Sequence, residues 1–158
     1  MGEPSELKPG QKRERPRDEL GRPLKWGSEN RLEMENFDAL SRDENHRLAI
    51  EHFNAGRFFQ AHEAWETCWK QSKGQDDEEF FKGLSQLGAG YTHYLRRNPH
   101  GARTLMERGL SRILPHAPKH HGVDIDALAA EVRPHADSIG AAERAGKTMP
   151  EIASPIIR

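Results

Sequence analysis

Apolar residues recur along the middle of the chain with the 3.6-residue period of amphipathic helices. The clearest case places Leu105, Met106, Gly109, Leu110 and Ile113 on one face, opposite Arg108, Ser111 and Arg112. Asn98 and Pro99 open that segment and Pro115 stops it. Upstream, Ser41 and Glu44 match a capping box, so a first helix is expected to start after Ser41 and end near Gly56. A second is predicted from Phe58 to Ser72, followed by a loop at Gly74, Gln75 and Asp76. Asp76 should cap a third helix of about twenty residues, with Asp77, Glu78 and Glu79 set favourably against its dipole. A loop containing His116, Pro118, His120 and His121 leads to Asp124, the expected cap of a fifth helix. Ile125, Leu128, Ala129 and Val132 face inward on that helix, and Pro134 should limit it.

Composition sharpens this into an all-α reading: a compact bundle of about five helices with a poorly ordered N-terminal arm. Two valines and four threonines are too few β-branched residues for a substantial sheet, whereas Ala (16) and Leu (13) are plentiful. Of the 28 Leu, Ile, Val and Phe residues, 18 lie between positions 46 and 132. The expected organisation is therefore a flexible, charged, Pro/Gly-containing arm over 1–36, a helical domain over 37–137 and a C-terminal tail over 138–158. The arm either docks near Leu24 and Trp26, covering a cleft, or hangs free.

The formal charge of -1 gives no long-range attraction to polyanions, so neither nucleic acid nor a membrane is an expected partner. The charged N-terminus lacks the apolar run of a signal peptide, and no 18-residue apolar stretch occurs, which points to the cytoplasm. The single Cys68 excludes an internal disulfide and a multi-thiolate zinc site.

Chemistry concentrates in Phe53–Trp69. On a helical wheel Trp69, Phe58 and Trp65 lie on one side of His62 and Glu66 and Phe59 on the other, with Glu63 at the edge beside Lys70. A carboxylate within an aromatic arc requires a hydrogen-bond donor, a cation or a proton. His62, one turn away, is its local partner. The pair is compatible with a metal half-site, a general acid and base, or a structural hydrogen bond. The spacing departs from the zincin His-Glu-x-x-His pattern, because Glu66 stands where the second histidine would be. It also departs from the Glu-x-x-His of two-metal bundles, since both glutamates follow the histidine.

On the third helix Gln86 and His93 share a stripe with Gly83 and Gly90, and Gly88 is a further interior glycine. Glycine costs helix propensity, so a close backbone approach is expected there. The second and third helices are expected to cross at this point and join His62 and Glu66 to Gln86 and His93. The candidate catalytic residues are then His62, Glu63 and Glu66, and the binding cleft is Trp65, Trp69, Gln86 and His93. The candidate metal ligands for a divalent ion are His62, Glu66 and His93. His116, His120 and His121 read as a solvated loop, and Arg96, Arg97, Arg103, Arg108 and Arg112 as a solvated basic strip.

The pattern Phe53-x-x-Gly56-x-Phe58-x-x-Ala61-His62-Glu63-x-x-Glu66-x-x-Trp69, with Phe81-x-Gly83-Leu84-x-Gln86 and Gly101-Ala102 after it, resembles the bacterial and archaeal family called domain of unknown function 309. The resemblance spans about residues 45 to 132. It implies a compact bundle of about five helices, places the family's polar motif on His62, Glu63, Glu66 and Gln86 beside Trp69, and implies no established reaction. A weaker resemblance joins the first two helices to a single tetratricopeptide unit, too few for an array. The sequence thus supports two classes of function. One is hydrolytic or proton-transfer chemistry on a small molecule, with Glu66 as base or ligand and His62 as proton carrier or second ligand. The other is an interaction module whose aromatic groove holds a partner peptide or a second copy of the chain.

Overall fold

The computed structural model describes residues 14–158. The first thirteen positions of the expected arm lie outside the described residues. Two compact units follow, divided between Glu33 and Met34.

In the first unit the chain folds back at Gly21, whose φ of +78° suits glycine, and Arg17 bridges Pro23. Asp18 organises this turn by accepting the N–H groups of Leu20 and Arg22 at 2.9 and 2.8 Å and the Arg22 Nε–H at 2.7 Å. Burial disfavours the Asp18 charge, but these bonds outweigh it and hold the carboxyl below its ordinary value.

The second unit is five helices: α1 (Arg42–Asn54), α2 (Phe58–Gln71), α3 (Glu78–Leu95), α4 (Pro99–Ile113) and α5 (Ile125–Arg144). Each packs chiefly on its neighbours in the chain, as short connections between antiparallel helices require. Most termini follow from local sequence. Ser41 accepts the Glu44 N–H, Asn98 that of Gly101 and Asp124 that of Ala127. Gly56 and Gly74, both at φ +78°, turn the chain between helices. The core joins Phe53, Trp65, Phe80, Phe81, Leu84, Leu87, Tyr91, Met106, Ile113, Ile125, Leu128 and Ile139, all essentially inaccessible.

Three local expectations are corrected. Asp77, not Asp76, is the N-cap of α3, and its carboxylate does not cap the helix. Helix α5 runs through Pro134. Pro134 is exposed, so the ring clash and the missing bond fall on the solvent side, while Ala136, Ile139 and Gly140 beyond it remain buried against the core. Between α4 and α5 a two-residue antiparallel pair, β1 (Lys119–His120) and β2 (Val123–Asp124), turns at His121-Gly122.

Residues beyond α5 return to the bundle. Asn54 clasps the Ile157 backbone, accepting its N–H at 2.7 Å and donating to its carbonyl at 2.9 Å, and Ile157 is buried. The Ile156 N–H donates to Glu131, and the Ile152 N–H to the Tyr94 hydroxyl. Among the described residues no helix is long and apolar enough to cross a membrane.

Candidate functional site

Helix α2 places Phe58, Ala61, Ala64, Trp65 and Cys68 in the core. Phe59, His62, Glu63, Glu66 and Trp69 are left half-buried along its edge. Gly88 decides how closely α3 approaches this edge. A Cβ there would lie 2.9 Å from the His62 backbone nitrogen and 3.0 Å from its Cα, so the two helices touch backbone to backbone. One turn before Gly88, on the same face of α3, sits Ser85.

The close crossing fixes the His62 imidazole. Its Nδ1 is 2.9 Å from the Ser85 carbonyl and 2.9 Å from the Ser85 Oγ, and that hydroxyl donates to the His62 carbonyl at 3.2 Å. Since the hydroxyl proton is already engaged, the ring is assigned as the donor at Nδ1. The Nε2 then faces outward, 3.5 Å from Glu66 Oε2 and 3.9 Å from Glu63 Oε1. Lys70 Nζ stands 3.5 Å from the other Glu66 oxygen.

All three ligand atoms of His62, Glu63 and Glu66 lie within 4.8 Å of one another. With Nδ1 engaged on Ser85, the ring turns Nε2 toward two carboxylates, and a cation between the three groups would meet all of them. An imidazole that donates its second nitrogen to a backbone carbonyl is also the usual orientation of a metal-bound histidine.

Of the other expected members of the cleft, Trp65 and Gln86 face other parts of the bundle. Trp65 is in the core, fully buried, with its indole N–H donating to His46 Nδ1 at 3.0 Å. Gln86 accepts from Arg112 Nε at 2.9 Å on the α4 side, and Arg112 also pairs with Glu79. His93 pairs with the Asn98 amide at 3.1 Å, and a Cβ on Gly101 would come within 2.9 Å of its ring. Burial chiefly, then the charges of Arg96 and His62, lower the His93 pKa. Trp69 stays at the edge of the site, with Lys82 Nζ 5.0 Å from its ring centre, while its indole N–H is buried without a partner.

The interior glycines explain the rearrangement. Gly83 and Gly90 face α4, where added Cβ atoms would meet Ile113 at 2.7 Å and Met106 at 3.1 Å, and only Gly88 faces α2. The Gln86/His93 stripe therefore belongs to the α3–α4 side. Among the described residues, the group at this edge that brings three ligand atoms within 4.8 Å of one another is His62, Glu63 and Glu66, without His93, and Ser85 is the anchor that sequence reasoning missed. A small polar residue three positions before an interior glycine was the available signal.

The histidine loop is also corrected. His120 and His121 each place Nε2 2.7 Å from a different oxygen of Asp77. Cys68 is buried, its thiol pushed up to about 12 chiefly by burial, and its Sγ–H points at the Arg42 carbonyl at 3.5 Å. The basic strip is engaged: Arg97 pairs with Glu151, Arg103 with Glu107 and Glu143, and Arg96 lies 5.6 Å over the Phe59 ring.

The five helices define a small all-α domain whose α2–α3 edge gathers a histidine and two glutamates. The family model described as "Domain of unknown function (DUF309)" matches residues 46–105, a segment that contains the whole α2–α3 site. No curated protein matches the chain.

Proposed function

We propose that this is a cytoplasmic protein that carries out hydrolytic or proton-transfer chemistry on a small molecule at His62, Glu63 and Glu66, with a divalent ion as the cation these groups gather. The observation supporting this reading is the anchoring of His62 Nδ1 on Ser85, which leaves Nε2 and two carboxylates aimed at one point. Glu66 serves as ligand or base, His62 as second ligand or proton carrier, and Glu63 as the supporting carboxylate. The bound ion would supply Lewis acidity to a substrate oxygen or water. The half-buried Trp69 and Phe59 rings give the substrate an apolar wall on either side of the charged centre.

The test is elemental analysis of untagged protein purified without chelator, together with hydrolysis assays on small esters, amides and phosphate esters, in wild type and in His62→Ala and Glu66→Gln. The His62–Glu66 pair is about a third exposed or less, so neither change should cost more than about 1 kcal/mol of stability. Loss of bound metal and turnover at an unchanged melting temperature supports the proposal. Folded variants that keep both would overturn it, and capture of one partner that survives both substitutions would identify an interaction module instead.

A further inference from the structure

A second group of ligand-bearing side chains lies at the start of α3. Asp77, His120 and His121 also bring three ligand atoms within 4.8 Å of one another. Their side chains are 20, 34 and 27% exposed, so a ligand reaches them from solvent without opening the core.

Several features hold these groups in place. Asp77 is the N-cap of α3, yet its carboxylate accepts no bond from the helix and gives both oxygens to the imidazoles. That choice forgoes the capping bond an N-cap aspartate ordinarily makes. His121 adopts a left-handed backbone, φ +44°, a conformation that non-glycine residues take only when their surroundings impose it. Its carbonyl accepts the Nε2–H of His46 at 2.8 Å, and His46 is in turn fixed by the Trp65 indole N–H. Phe80 and Phe81 wall the rings in: Phe80 lies 4.8 Å from His120, centre to centre, and Phe81 lies 5.4 Å from His121. His116 stacks on His120 at 4.9 Å.

We propose that Asp77, His120 and His121 bind a divalent transition-metal ion of the zinc type, at a site separate from His62, Glu63 and Glu66. Two imidazoles and one carboxylate suit zinc, cobalt or nickel, whereas calcium and magnesium call for all-oxygen shells. The two rings now donate from Nε2 to one carboxylate; a single ion between the three groups would take the place of both bridges, each neutral ring then carrying its proton on Nδ1 instead. The positive end of α3 and the Arg42 guanidinium, 3.7 Å from Asp77, oppose the ion. Glu78 in the first turn of α3 opposes them, whereas the Glu79 charge is paired with Arg112. Three protein ligands leave a coordination position open to water or an anion, with the His116 ring beside His120.

The first experiment uses the untagged wild-type chain. Zinc added to one equivalent should shift the ring nitrogen resonances of His120 and His121, and cobalt should give a visible d–d band. Unshifted resonances for both histidines overturn the proposal. Titration of variants is the second arm. Asp77→Asn and His120→Ala should each weaken zinc binding by about 100-fold or more, while Glu66→Gln leaves this equivalent in place. Folded Asp77→Asn and His120→Ala proteins with unchanged affinity would refute it. A metal lost only in Glu66→Gln belongs to the α2–α3 site and counts against this one.

Discussion

The α2–α3 contact at Gly88 links stability to the site, and Gly88→Ala tests it. By helix propensity alone this change in the interior of α3 should stabilise the protein by about 1 kcal/mol. The structure opposes that gain, because the new methyl would sit 2.9 Å from the His62 nitrogen, 3.0 Å from its Cα and 3.1 Å from its Cβ. Two of those atoms are backbone, so no rotamer change relieves the contact and the helices must move apart. Overpacking of this kind costs about 2–3 kcal/mol at the upper end of its range. The net expectation is a loss of about 1–2 kcal/mol, or roughly 2–8 °C in melting temperature for a domain of this size. Urea denaturation followed by circular dichroism gives the first figure and a thermal scan the second. Ala89→Gly, one position along α3 at a half-buried residue, is the control and should lose about 1 kcal/mol through propensity alone. Both directions of exchange thus destabilise, depending only on which residue touches α2. A Gly88→Ala protein as stable as wild type or more so would refute the backbone contact, and with it the reason His62 meets Ser85.

Tyr91 donates its hydroxyl proton to His135 Nδ1 at 2.7 Å, and burial lowers the His135 pKa despite the nearby Glu131 charge. The unfolded chain therefore takes up this proton first. Stability from a neutral His135 is full above its ordinary value of 6.5 and declines as pH falls below it, and Tyr91→Phe should flatten that decline in urea melts across this range. With its thiol held up at about 12, Cys68 should resist thiol reagents at mildly alkaline pH until denaturant is added, and stoichiometric labelling of the native protein would contradict its burial. Pro134→Ala should raise stability by about 1–3 kcal/mol, because α5 already continues through this exposed position; a lower melting temperature would show that the proline fits its surroundings better than a helical alanine.

Much of the fold was legible because it depends on neighbours in sequence. Ser41, Asn98 and Asp124 cap helices by bonds to residues three positions ahead, and Gly56 and Gly74 turn the chain through their own φ angles. Periodicity placed the buried faces of α4 and α5 for the same reason. Pro134 misled because its local penalty is outweighed by the burial of Ala136 and Ile139, which depends on the packed bundle.

The α2 edge was legible in part. His62, Glu63 and Glu66 share one turn of a helix, so their convergence follows from helical geometry. Their partner on α3 did not, since a stripe of glycines does not say which neighbour each one faces. Gly88 faces α2 and so brings Ser85 to His62, while Gly83 and Gly90 face α4, the side on which Arg112 holds Gln86.

The sequence by itself determined the five helices, the caps at Ser41, Asn98 and Asp124, and the adjacency of His62, Glu63 and Glu66, all set by interactions that span about one turn. Only the tertiary structure decided which faces meet. It put Trp65 in the core, gave His62 its tautomer through Ser85, and brought Asp77 to His120 and His121 across more than forty positions of chain. Contacts at that separation arise from the packing of whole helices, whose side-chain complementarity no local pattern encodes.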